Sequence, residues 1–361
     1  MRFSQLPTAE SLQKPLMPRR IYLDFAATTP LLPEAGEAMR EGFGIWANPS
    51  SPHAEGRKAR AALEDARARM KAALGWDGEV IFTSGASEAL AIALKQAQAP
   101  LLAVSAVEHE SVLRHAGDAA RLPVDTLGLV NPADCALPGL VAVQQANSET
   151  GVLQPLNAIA EAVRSAGGVL LADCAQGAGK LTLPDADLIA LSAHKFGGPI
   201  GIGALLVRDW ALLKPTGGQE RGYRGGTENL PGAMAMVAAL EADRAWLDEA
   251  VRLRALLDDA IAAAGGELLC VETARVPSIA AYRMPGMSAN AQLIRFDAAG
   301  FAVSAGSACS SGSLKVSHVL SAMGYADPGE VIRVSIGRET SEADILAFLE
   351  QWRAVAGRAA G

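Results

Sequence analysis

Cysteine is scarce in this sequence, and none of it is paired. Four cysteines, Cys135, Cys174, Cys270 and Cys309, are scattered over 361 residues with no Cys-x-x-Cys spacing. That pattern argues against a disulfide framework and against a zinc site. Long apolar runs are missing too. No stretch reaches the roughly 18 apolar residues of a membrane-spanning helix, and Met1 to Arg20 lacks the apolar core of a signal peptide. Basic residues are outnumbered, 32 Lys and Arg against 39 Asp and Glu for a net charge of −7. This argues against nucleic acid or an anionic membrane as the main partner. Repeats and low-complexity tracts are absent, apart from a general abundance of alanine. The expectation is a cytoplasmic protein with a large buried interior, since half of its residues are hydrophobic and only a fifth charged.

A chain of this length fits two linked subdomains. Residues 1–20 read as a loose N-terminal arm. Over 21–230, strand-like runs at Glu79–Thr83, Leu101–Val104, Leu140–Val143, Val169–Ala172, Asp187–Leu191 and Ile202–Val207 alternate with helical stretches such as Glu88–Gln98 and Leu156–Ala166. That is the pattern of an α/β domain whose mostly parallel sheet lies between helices. A helical stretch over 231–264 would link it to a smaller α+β domain, 265–361.

Several segments carry polar groups where strands end. Lys195, in Leu191-Ser192-Ala193-His194-Lys195-Phe196-Gly197-Gly198, follows the run Asp187–Leu191. A lysine that loses water at such a place lowers its pKa and can attack a carbonyl. Phe82-Thr83-Ser84-Gly85-Ala86-Ser87-Glu88 runs from strand to helix through small residues. Its bare N–H groups and the Ser87 hydroxyl make a phosphate cradle, although a serine there also caps any helix. Asp173 ends Val169–Ala172, where a pyridinium nitrogen would be a fitting partner, as would a helix cap or a salt bridge. Gln176 follows three residues on. His109 comes after Leu101–Val104 and can stack on a planar ring or shuttle protons.

Together these segments resemble the cysteine desulfurases, pyridoxal phosphate (PLP) enzymes of fold type I in the class V aminotransferase group. The resemblance is carried by Tyr22–Pro30, Phe82–Glu88, Glu108-His109, Asn147-Ser148-Glu149-Thr150-Gly151, Asp173-Cys174-Ala175-Gln176 and Ser192–Lys195, in order from about Ile21 to Thr340. It implies that Lys195 bonds the cofactor, Asp173 pairs with the ring nitrogen and Gln176 contacts the ring oxygen. His109 would stack on the ring and move protons, while Ala86, Ser87, Ser192 and His194 hold the phosphate. Thr227, in the loop Gly217–Asn229, would complete the phosphate site of a neighbouring subunit. A homodimer with shared active sites is therefore expected.

Cys309 lies in Ser304-Ala305-Gly306-Ser307-Ala308-Cys309-Ser310-Ser311-Gly312, a stretch of small residues that cannot pack a core, so its thiol should be accessible. The setting looks like the persulfide-forming loop of group I cysteine desulfurases, which would make Cys309 the nucleophile. Arg333, in Ile332–Arg338, matches the family's clamp for the substrate carboxylate, a role its planar fork suits. Asn147 and Ser148 would border the substrate. The implied reaction converts L-cysteine to L-alanine and passes sulfur through Cys309 to an acceptor protein, such as an iron–sulfur scaffold. Ser148 stands where relatives often have a second asparagine, and Ile200 where they often have a lysine. The alternatives are a selenocysteine or cystine lyase of the same superfamily, or a non-catalytic partner that keeps the fold.

Overall fold

The computed structural model of the protein describes residues 20–306 and 316–357. The first nineteen residues of the expected arm and the expected nucleophile Cys309 lie outside them.

The chain starts with β1 (Ile21–Tyr22), then α1 (Pro33–Gly44) and α2 (Ala54–Leu74). An alternating region follows: β2 (Glu79–Thr83), α3 (Ala86–Gln96), β3 (Leu101–Ser105), α4 (Glu110–Leu113), β4 (Ala120–Leu122), β5 (Leu140–Gln144), α5 (Leu156–Ser165), β6 (Val169–Asp173), β7 (Leu188–Ser192) and β8 (Gly203–Val207). Seven of these strands form one sheet in the order β2-β8-β7-β6-β5-β3-β4. It is parallel except for β8, which runs antiparallel to both β2 and β7.

Because strand side chains alternate, each strand serves two interiors. Val80, Phe82, Val141, Val143, Ile189 and Leu191 face a core shared with α1, α2 and α5. Ile81, Leu140, Ala142, Leu188 and Ala190 face a second core under α3. A sheet covered on both sides explains why these strands read as continuous apolar runs.

The expected helix over 231–264 is two helices, α6 (Leu230–Glu241) and α7 (Trp246–Ala263). Ala242 turns to an extended backbone (φ −61°, ψ 148°), and Asp243 Oδ1 accepts the Ala245 N–H at 3.0 Å. α6 packs into the first core with α1 and α2. α7 packs into a separate interior with α8 (Ala289–Ala298) and α10 (Glu342–Ala356), beside the antiparallel sheet of β9 (Glu267–Leu268), β10 (Ile279–Arg283) and β12 (Val331–Ser335). Buried aromatic rings of Tyr282, Phe296, Phe348 and Trp352 contact one another there. This interior also takes in Leu23 from the start of the chain, because β1 pairs in parallel with β11 (Phe301–Ala302). α9 (His318–Ala322) completes the helices.

Candidate active site

The carboxyl ends of β2, β3, β5, β6 and β7 lie along one edge of the large sheet, the edge at which α/β folds collect ligands. The motifs around Ser87, His109, Asn147, Asp173 and Lys195 follow these five strand ends.

After β2, the turn Ser84-Gly85 leads into α3, whose first residues are Ala86 and Ser87. The first N–H groups of a helix have no partner within it and favour an anion. Gly203 of β8 lies directly behind this turn. A Cβ at Gly203 would stand 2.6 Å from Gly85 Cα, so only glycine lets the backbones pass. A Cβ at Gly85 would stand 3.7 Å from Ser192 Oγ, which places the buried Ser192 beside the helix start. Ser87 Oγ is 2.8 Å from Ser111 Oγ, and Ser111 Oγ is 2.9 Å from His109 Nδ1. The Ser111 N–H also donates to Nδ1, at 3.1 Å. The same hydroxyl chain thus runs from the cradle to the His109 ring. His194 Nδ1 lies 3.2 Å from Thr28 Oγ1. Burial, and then the neighbouring Lys195, bring its pKa down to about 4, so its ring is neutral at pH 7.

Asp173, the last residue of β6, is buried. Its Oδ1 accepts the Ala175 N–H at 2.9 Å, and it makes no ion pair among the described residues. Burial raises its pKa, against the Ala175 hydrogen bond and the pull of His109 and Lys195. Glu108 behind it is fully enclosed. Its Oε1 accepts the Gln144 N–H at 2.7 Å, while Oε2 is buried without a partner. Burial, and then Asp173, push Glu108 well above the usual carboxylate range. Gln176 donates from Nε2 to Ala26 O at 2.8 Å, and its Oε1 is likewise buried and unpartnered. A buried carboxylate with no ion pair among the described residues, next to an amide with unused capacity, fits the polar rim of a protonated heterocycle.

Lys195 closes the one-turn 3₁₀ segment Ala193–Lys195 after β7. Its Nζ donates to Ala26 O at 2.7 Å and to Ala27 O at 2.8 Å. The turn Phe25–Thr28 after β1 therefore meets both Gln176 and the lysine.

Arg333 reaches the site from β12. Its Nη1 donates to Ser148 O at 2.8 Å and its Nη2 to Asp24 Oδ1 at 2.7 Å, while Nε is buried and unpartnered. Ser148 thus meets the arginine through its main chain. Asn147 is committed to its own loop: Oδ1 accepts the N–H groups of Glu149 (2.9 Å) and Thr150 (3.0 Å) and the Thr150 hydroxyl (3.2 Å). Its Nδ2 donates to Val107 O at 3.3 Å. The Asn147 side chain thus builds the turn that carries Ser148 to the arginine. Thr227 is exposed on the loop 217–229, and among the described residues no hydrogen bond joins it to the other candidates. An ion pair of 3.0 Å, Arg224 to Glu88, ties that loop to α3.

The described cysteines are buried. Burial pushes Cys135 and Cys270 up to about 11 and Cys174 well above its ordinary value, so all three thiols are poor nucleophiles. Among the described residues, no cluster of His, Cys, Asp and Glu could hold a metal ion. Asp24, Thr28 and Ser111 were not anticipated as site residues. Asp24 and Thr28 belong to a motif visible in the sequence, but their partners lie 309 and 166 residues away.

Comparison with known proteins decides the family. The aminotransferase class-V family profile matches residues 21–348. The chain belongs to that family. Members depend on pyridoxal phosphate, and the residues at this edge fit that cofactor. A cysteine desulfurase from Cereibacter sphaeroides is 36% identical over 367 residues, covering 92% of this chain and 94% of the relative. Cysteine desulfurase IscS of Dictyoglomus turgidum is 35% identical, covering 91% and 92%. Among solved structures, a NifS-like protein superposes with a TM-score of 0.84 at 26% identity, over 94% of this chain and all of the other. SspA in complex with cysteine superposes with a TM-score of 0.75 at 28% identity, over 88% of this chain and 98% of the other. These class-V relatives share the large parallel sheet described above.

Proposed function

We propose that the chain carries out its cysteine desulfurase reaction with Lys195 as the cofactor-bonding lysine and base, Arg333 as the substrate clamp and Cys309 as the sulfur acceptor. The activity itself, and its dependence on pyridoxal phosphate, follow from the family and its relatives. The observation that carries the assignment of roles is the placement of Lys195 near Asp173. Asp173 ends β6 and Lys195 closes the turn after the neighbouring β7, and Asp173 is a buried carboxylate with no ion-pair partner among the described residues.

Ala86, Ser87, Ser192 and His194 would hold the cofactor phosphate. Asp173 would keep the ring nitrogen protonated, with Gln176 at the ring oxygen. Bound there, the cofactor supplies an electron-withdrawing ring that takes up electrons when Cα loses its proton. The chain does the rest. Arg333 holds the carboxylate of L-cysteine, and the Ser148 carbonyl and Asp24 orient its fork. Lys195 removes the Cα proton, and His109, held by Ser111, moves protons within the site. The Cys309 thiolate attacks the substrate sulfur. An S–S bond forms, the substrate Cβ–S bond breaks, and protonation leaves alanine. The resulting persulfide passes to a sulfur-acceptor protein in the cytoplasm. No described helix is long and apolar enough to cross a membrane.

We further propose a homodimer in which Thr227 serves the partner's phosphate site. Around its loop lie exposed apolar side chains, Phe43, Trp46 and Ile200, at 63%, 79% and 80% exposure. The loop meets Ile200's turn through Asn229 Nδ2 and Gly201 O, at 3.4 Å. A patch of that kind on a surface marks an interaction face.

The deciding experiment measures alanine and sulfide released from L-cysteine with a thiol reductant, in wild type and Cys309→Ala. Equal yields from wild type, lost in the variant while its bound cofactor remains, are expected. Undiminished turnover in the variant would remove Cys309 from the mechanism and favour a lyase.

A further inference from the structure

A second lysine shares the surroundings of Lys195. Lys180 follows the Asp173–Gln176 segment, and both lysines line a cavity of about 20 Å³, room for about one water molecule. Phe196 and Trp246 form apolar walls, and Arg338 is a third basic residue there. Among the described residues, no carboxylate lines it.

Two ammonium groups beside one small cavity without a carboxylate repel each other, and desolvation disfavours a buried ammonium. The hydrogen bonds decide which amine gives way. Lys195 donates to two carbonyl oxygens, Ala26 and Ala27, and Asp173 on β6 attracts its charge. The Lys180 side chain has no acceptor or ion-pair partner among the described residues. Burial first, and Lys195 second, bring Lys180 down to about 7. The other titratable groups nearby are His194, itself depressed by burial and Lys195, His109 and Glu108 across Asp173, and Arg338 in the cavity wall.

We propose that Lys180 is a positioning residue for Lys195, the two amines holding one proton between them. When Lys195 is not bonded to the cofactor and donates to Ala26 and Ala27, the proton is on Lys195 and Lys180 is neutral. When Lys195 must be an uncharged base, the proton passes to Lys180, and the Lys180 charge then keeps Lys195 from being reprotonated from solvent. The step is a proton exchange between the amines of two lysines that line one cavity with room for a water molecule to carry the proton, so no other reactant is needed. This inference rests on the assignment of Lys195 as the cofactor-bonding lysine.

The test follows the visible spectrum of the cofactor-loaded enzyme against pH in wild type, Lys180→Met and Lys180→Arg. Methionine removes the charge and arginine makes it permanent. The spectral midpoint of the methionine protein is expected about one pH unit above that of the arginine protein. A purely structural role for Lys180 would not separate the two in that sense. Equal midpoints, the reverse order, or loss of cofactor from both variants would overturn the inference. A Lys195→Ala protein run in parallel separates the two claims. If it keeps the same titrating spectrum, the Lys195 assignment fails, and the role of Lys180 with it.

Discussion

Two buried clusters of charge in this molecule are built on opposite plans. Under β2, Arg67 is surrounded by acceptors: Glu220 through both carboxylate oxygens (2.9 and 3.3 Å), Glu64 (3.3 Å) and the Val80 carbonyl. Glu220 in turn accepts the Phe82 N–H at 3.0 Å. Burial is the largest single influence on Arg67, yet its partners together outweigh burial and raise its pKa. At the cofactor edge the outcome is reversed. Asp173 and Glu108 are raised and His194 and Lys180 lowered, each with burial as the largest cause. The first cluster is electrostatically complete within the chain. The second is complete only with a ligand, and uncompensated burial is what marks the site.

Removing one partner should therefore do most harm where the cluster is complete. Glu220→Gln leaves buried Arg67 with only the half-exposed Glu64 as a charged partner, and breaking such a buried pair costs about 3–5 kcal/mol. Urea unfolding monitored by circular dichroism should show that loss, with the KM for L-cysteine unchanged. A loss below about 1 kcal/mol would mean that the pair behaves as a surface ion pair and that the contrast is false.

The incomplete cluster should show itself in the pH dependence of the cofactor-free protein. The His194 pKa is depressed in the folded state to about 4, against about 6.5 in an unfolded chain. Between those values the unfolded state binds more protons, so stability rises with pH. It is fully present above pH 6.5 and lost as the pH falls toward 4. Solvent reaches part of this ring, so the loss is discounted to about 2 kcal/mol at most. Unfolding free energies of wild type and His194→Gln at neutral and acidic pH check this, and the variant should have the flatter profile. Parallel profiles would show that His194 carries no such penalty. Loading the cofactor should shrink the effect, because an anion beside the ring favours its protonated form.

The sequence exposed the site unevenly, for physical reasons. Lys195 and Asp173 were visible because each directly follows or ends an apolar strand run, where a charge stands out. The cradle before α3 was visible because small residues joined a strand pattern to a helix pattern. Asp24 was not recognised as the partner of Arg333, since nothing local pairs residues 309 positions apart. Lys180 belongs to none of the motifs read in the sequence, and only the fold places it beside a cavity with Lys195. Asn147 was read as a substrate contact from the resemblance, and the hydrogen bonds that its Oδ1 accepts from its own loop were not legible in the sequence. The break between α6 and α7 has neither glycine nor proline. It depends on the Asp243 carboxylate accepting the Ala245 N–H, in a segment whose apolar residues continue through it. Cys309 falls outside the described residues, so the small-residue loop that singles it out is legible in the sequence alone.

The smallest expected effect has the opposite sign to that of Glu220→Gln and therefore separates the two plans most directly. Asp173→Asn exchanges a carboxylate for an amide of nearly the same shape at a place where burial, the leading influence, already disfavours the charge. Removing a buried charge that has no ion-pair partner relieves a desolvation cost, but the new amide N–H groups need acceptors of their own. The net gain for the cofactor-free protein should be only about 1 kcal/mol. Cofactor affinity should fall in the same variant, because a neutral amide cannot hold the ring nitrogen protonated. Urea unfolding without cofactor and a cofactor titration by absorbance measure the two quantities separately. Destabilisation of the cofactor-free protein by Asp173→Asn would show that Asp173 is already satisfied within the chain, and that the cofactor edge is built like the Arg67 cluster after all.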